Sequence, residues 1–149
     1  VKEDYDGAVP SGNSVAALAL LRLGKITDRK EFTNMAEKSL LLFSENMTNG
    51  PSAVPYLLQA LDFLVNEPRR AVITGDPKSA GARDLIAAAH ATYQPNKVVL
   101  GVAGPVEEFA KTLPEEKQSA VYLCTGTACQ PPTSDAFKLR EMMASQTLP

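Results

Sequence analysis

The chain has 149 residues, 44% of them hydrophobic, and a formal net charge of -2 at pH 7. That is enough for one ordinary domain or two small subdomains with a real core. The acidic balance, with basic runs no longer than a pair such as Arg69-Arg70, argues against nucleic acid or an anionic membrane surface as partner. The longest apolar run, Val15 to Leu21, is far short of the ~20 residues of a membrane span. No signal peptide is visible, and the polar opening Val1-Lys2-Glu3-Asp4 leads us to expect a start inside a longer protein. Two cysteines and one histidine make neither a disulfide scaffold nor a four-ligand zinc site. No metal or cofactor is expected, and a reducing, cytoplasmic setting is the default.

Before Glu67-Pro68 the pattern is helical throughout. A small-polar loop, Asp6 to Ser14, feeds an almost entirely apolar helix from about Gly12 to Leu23, with Gly24 as its stop. Such a helix is expected to be buried on most sides. Asp28 and Glu31 are spaced as a capping box for a second helix. Its apolar stripe is Phe32, Met35, Ala36, Leu40, Phe43 and Met47. Asn49-Gly50-Pro51 breaks it, and a third helix carries Val54, Leu57, Leu58, Leu61 and Leu64. Short links make neighbouring helices antiparallel.

After Pro68 short β-branched runs alternate with helical patterns. Ala71 to Thr74 reads as a strand, Gly75-Asp76-Pro77 as its turn into a helix, with Asp76 as N-cap and Pro77 at the first helical position. Lys97 to Val102 is a second strand and Ala120 to Cys124 a third. A short helix starts near Gly104-Pro105, and a last one follows Pro131-Pro132-Thr133-Ser134-Asp135. The fold expected is α/β: a helical segment over 1–67, then a small, three-stranded, mostly parallel α/β subdomain over 68–149.

Four ordered motifs carry a resemblance. They are Asp6-Gly7-Ala8-x-Pro10-Ser11-Gly12-Asn13-Ser14, Val72-Ile73-x-Gly75-Asp76-Pro77, Pro95-Asn96-Lys97-Val98-Val99-Leu100, and Tyr122-x-Cys124 with Cys129-Gln130-Pro131-Pro132. Together they resemble the C-terminal end of the YyaL-like, or spermatogenesis-associated thioredoxin-domain-containing, family. The resemblance implies a parent with a thioredoxin-like domain followed by a toroid of α-hairpins. That toroid is similar to those of N-acylglucosamine 2-epimerases and six-hairpin glycosidases. It further implies that this chain supplies the last hairpins and a C-terminal α/β appendage, with carbohydrate-related or redox-linked chemistry residing in the parent. The partners so implied are the missing N-terminal domains or a sugar; the apolar first helix separately points to a second copy of the chain, since an isolated chain must pair or expose a large apolar patch.

No catalytic residue is assigned from the sequence. Asp6, Ser11, Asn13 and Ser14 are candidate ligand-binding residues: in toroids of this kind, loops at one end of the inner helices meet the ligand. Their other reading is structural, since Ser11 or Asn13 makes a good N-cap and Gly7 and Gly12 allow tight turns. Cys124 and Cys129 are candidate redox residues, with three readings open. They are two semi-buried thiols at a strand end, a disulfide or redox pair if Gly126 folds the loop back, or half of a metal site completed elsewhere. Gly75-Asp76-Pro77 lacks the glycine and lysine pattern of a phosphate loop, and His90 has no second ligand at helical spacing. The chain thus reads as a piece of a larger protein, as part of a sugar-binding cavity, or as a protein-interaction module.

Overall fold

A computed structural model describes residues 5–145. The chain divides between Asn66 and Glu67 into two compact units.

The first unit is helical: α1 (Gly12–Thr27), α2 (Lys30–Leu42), α3 (Ser44–Asn49) and α4 (Pro55–Val65), with one 3-10 turn at Pro51–Ala53. Helix α1 packs against both α2 and α4. Its buried side is Ser14, Ala17, Leu18, Leu21 and Gly24, meeting Ala36 and Leu40 of α2 and Leu57, Ala60 and Phe63 of α4. Fully burying a side chain such as Phe63 or Leu18 is worth about 1.5–3 kcal/mol over leaving it exposed.

The expectation that α1 is buried on most sides is overturned. Val15, Ala16, Ala19 and Leu23 form an exposed apolar stripe opposite the buried face, with Val15 44% and Leu23 42% exposed. Two neighbouring helices cover only one side of a cylinder, whatever its sequence.

Gly24 does not stop α1 either. It lies inside the helix, where a Cβ would fall 2.5 Å from Thr33 Oγ1. The glycine serves close approach of α1 to α2, and the helix runs one more turn to end at Asp28, in the left-handed conformation at φ 55°. Asp28 therefore closes α1 instead of opening α2, whose N-cap is Arg29. The second helical pattern breaks at Phe43 into α2 and α3, and of its expected apolar stripe Met35 is exposed and Met47 half-buried.

The second unit holds β1 (Arg69–Thr74), α5 (Ala80–Ala91), β2 (Lys97–Gly101), the single-turn α6 (Glu108–Lys111), β3 (Ala120–Thr125), β4 (Ala128–Cys129) and α7 (Ala136–Ala144). The described residues form a four-stranded sheet in the order β2-β1-β3-β4, not three mostly parallel strands. Only β1 and β2 run parallel; β3 is antiparallel to β1, and β4 to β3. An antiparallel strand starts at the end of the sheet where β2 finishes, so no full-length crossover helix is needed between β2 and β3. That is why the segment 102–119 holds one helical turn.

Helices α5 and α7 cover one face of this sheet. Ala71, Ile73, Val121 and Leu123 point into a core with Ala82, Leu85, Leu139 and Met143. The alternate residues face the other way: Arg70, Val72, Thr74, Val98, Leu100, Tyr122 and Cys124, all buried. Segment 102–119 covers this second face, where Phe109 lies against Arg70 and the Tyr122 hydroxyl donates to Pro114 O at 3.1 Å.

Two basic residues at strand starts close helix ends. Arg69 donates to the carbonyls of Met142, Met143 and Ser145 at the end of α7. The Lys97 ammonium donates to Ala89 O and Thr92 O at the end of α5. Cations there complement the unpaired carbonyls and the negative end of the helix dipole.

Candidate functional site

The opening loop is built around Asp6, a buried carboxylate that is 6% exposed. Its Oδ1 accepts from Ser11 N at 2.8 Å. Its Oδ2 accepts from Tyr56 N at 2.8 Å and Leu57 N at 3.2 Å, across fifty residues of sequence. Tyr56 and Leu57 are the second and third residues of α4, whose own N-cap residue, Val54, has no side-chain oxygen to offer. Asp6 thus caps α4 from a distant loop, and its N–H donates to Ala53 O at 2.8 Å to fix the loop on the same turn.

Ser11 is the N-cap of α1, and its hydroxyl accepts from Ser14 N at 3.1 Å. The Ser11 and Ser14 hydroxyls lie 2.9 Å apart, and both residues are 2% exposed. Asn13 is half-buried on the first turn. The structure therefore brings Asp6, Ser11 and Ser14 into one network in which each is engaged by the chain itself.

Burial alone would raise the Asp6 pKa. The hydrogen bonds from Ser11 N, the Ser14 hydroxyl, Leu57 N and Tyr56 N together outweigh it and hold the carboxyl below its usual value. The charge also sits where two helix N-termini place positive potential. The group is ionised and structurally committed, the opposite of a carboxylate poised to take a proton near neutrality.

The cysteines lie in the second unit. Cys124 and Cys129 are directly opposed on β3 and β4 and joined by a disulfide, with Cα atoms 4.0 Å apart. They are neither two separate thiols nor free metal ligands. The turn between the strands is Gly126-Thr127, with Gly126 at φ 57°, the arrangement of a two-residue type II′ hairpin. On the next pair Gln130 N donates to Leu123 O at 2.9 Å, which makes Cys124 and Cys129 a non-hydrogen-bonded pair, where opposed side chains come closest. Cys124 is fully buried and Cys129 half-buried.

The turn after β1 is structural. Gly75 has φ 90°, and a Cβ there would lie 2.9 Å from Ser119 Oγ. The cap of α5 is not Asp76 but Ser79, whose hydroxyl accepts from Ala82 N at 3.1 Å and lies 2.8 Å from Ser119 Oγ. Asp76 instead accepts from Lys78 N within the turn, and Pro77 precedes the helix.

One feature of the second unit had no counterpart in the sequence reading. An apolar pocket of about 310 Å³ opens at the C-terminal ends of β1 and β2, between Ile73, Val99 and Gly101 on the strands and Ile86 and His90 on α5. Two signals existed in the sequence: His90 and Ile86 share one helix face, and Gly101 leaves the end of β2 without a side chain. Among the described residues no group of three or more histidine, cysteine, aspartate or glutamate side chains is placed to hold a metal, and no helix is long and apolar enough to cross a membrane.

No protein-family model and no solved structure matches the chain. Among curated proteins, it is 34% identical to spermatogenesis-associated protein 20 of Homo sapiens over 151 aligned positions, which take in 96% of this chain and 19% of that protein. The rat protein of the same name matches to the same extent. An uncharacterized protein of Caenorhabditis elegans is 30% identical over 94% of this chain and 20% of its own length. The chain is thus similar, along nearly all of its length, to about a fifth of proteins several times longer.

Proposed function

We propose that the chain is a docking segment of a larger polypeptide of the spermatogenesis-associated protein 20 kind, without catalytic activity of its own. The observation that carries this reading is the uncovered apolar stripe of α1, Val15, Ala16, Ala19 and Leu23. A helix with apolar residues on its buried and its open sides is patterned for neighbours on both. The relatives are about five times longer than the matched stretch, which gives the stripe a source of cover. In its finer form the reading makes α1, α2 and α4 the closing hairpins of a helical toroid, with α1 as an inner helix. Against a sugar site at the opening loop stands the hydrogen bonding of Asp6, Ser11 and Ser14, already taken up by helix capping.

A thiol label tests the reading. Val15→Cys is made in the isolated chain and in a polypeptide extended by the flanking coding sequence, and alkylation is timed under non-reducing conditions. The isolated chain labels at the rate of an exposed thiol, and the extended one at least about tenfold more slowly, as burial of the stripe requires. Equal rates contradict the proposal.

A further inference from the structure

We propose that Cys124–Cys129 is a redox-active disulfide that exchanges with an external dithiol through Cys129, and that Arg70 speeds the exchange by holding the Cys124 thiolate. The inference rests on the second unit alone and is independent of the docking reading.

Three observations converge. First, the two sulfurs differ in access: Cys124 is fully buried in the sheet, whereas Cys129 is half-buried on the short edge strand β4. An incoming thiolate can therefore reach Cys129, and Cys124 becomes the leaving group. Second, Arg70 of β1 is the direct antiparallel partner of Cys124. Opposed residues share a face, with Cβ atoms about 4.5–5.5 Å apart. Third, the Arg70 guanidinium is held against the loop that the disulfide closes. One terminal nitrogen donates to Gly126 O and the other to Glu107, while the ring of Phe109 lies 5.3 Å from the guanidinium carbon. Its Nε, also buried, has no hydrogen-bond partner. A buried thiolate beside it would supply an acceptor and a counter-charge. A cation next to a cysteine lowers the thiol pKa, and a thiol of lower pKa leaves faster.

The step balances as follows. A thiolate of the dithiol attacks Cys129 Sγ, the Cys124–Cys129 bond breaks, and its electron pair stays on Cys124 Sγ beside Arg70. The second thiol of the reagent loses its proton and attacks the reagent sulfur of the mixed disulfide, releasing Cys129. The dithiol is oxidised by two electrons to its cyclic disulfide, and the two protein sulfurs are reduced, drawing their protons from the solvent pool.

Dithiothreitol serves as the probe for rate and glutathione for the site of attack. Under native conditions glutathione should form its mixed disulfide on Cys129, located by peptide mass. Reduction by dithiothreitol should slow roughly tenfold in Arg70→Met, through the rise in the leaving thiol's pKa, and change less in Arg70→Lys. Glu107→Gln, which removes the anion competing for Arg70, should speed it severalfold. Simple loosening of the fold would accelerate both Arg70→Met and Glu107→Gln, so the opposite signs identify the electrostatic role. An adduct on Cys124, a disulfide that resists reduction until the protein is denatured, or a faster Arg70→Met would overturn the proposal.

Discussion

Asp6 shows how one residue can decide between a site and a scaffold. Two oxygens accept three backbone N–H groups at two helix starts, and nothing in the local sequence announces the second of them, fifty residues away. The loop was legible as a cap for α1, because Ser11 and Asn13 are both capping residues at the start of an apolar helical run, and the structure gives the role to Ser11. Its tie to α4 was not, because a cap supplied from a remote loop leaves no spacing to read. Asp6→Ala should destabilise the first unit by about 2–4 kcal/mol, since a buried acceptor is lost and α4 has no other cap. Chemical denaturation measures it. The depressed carboxyl pKa also gives a pH dependence with a definite sign. The folded form binds the Asp6 proton more weakly than the unfolded chain, so its contribution is complete above about pH 4 and is lost as the pH falls through the lower folded value. Asp6→Asn should remove that part of the acid sensitivity, and denaturation midpoints measured from pH 6 down to 3 would reveal it.

At the scale of elements, the types were legible and their ends and partners less so. Period and composition identify α1, α2, α4, α5, β1, β2 and β3, because a helix face or a β-branched run is a local signal. The short β4 was missed: two residues carry no period, and only the Gly126 turn pointed to a hairpin. Alternation of strands and helices predicts parallel crossovers, but β3 runs antiparallel to β1 because its direction is set by where segment 102–119 leaves it, which no local pattern encodes. Gly24 is the instructive glycine. As a stop signal it misled, because its role is contact between helices: a Cβ would meet Thr33. Gly24→Ala would gain up to about 1 kcal/mol of helix propensity, but the forced separation of α1 and α2 should outweigh it by about 1–2 kcal/mol. Thr33→Ala in the same chain should recover most of that loss. Thermal melts of the two single variants and the double variant give the coupling, and additive effects would refute the contact.

At the scale of the whole molecule, an apolar helix was legible and its lack of cover was not. The sequence shows that α1 is apolar on more than one side; only the structure shows that α2 and α4 leave Val15, Ala19 and Leu23 bare. Candidate chemistry divides in the same way. Asp6, Ser11 and Ser14 resolve into capping, the cysteines into a paired cross-strand site, and the pocket beside His90 emerges only from tertiary placement. The most direct measurement of the docking account is light scattering on the isolated chain and on its Val15→Glu/Leu23→Glu variant, each with an apolar-surface dye present. The account predicts that the native sequence self-associates or stays monomeric and binds dye, while the variant is a folded, dye-silent monomer. A native chain that is monodisperse, monomeric and dye-silent would contradict it.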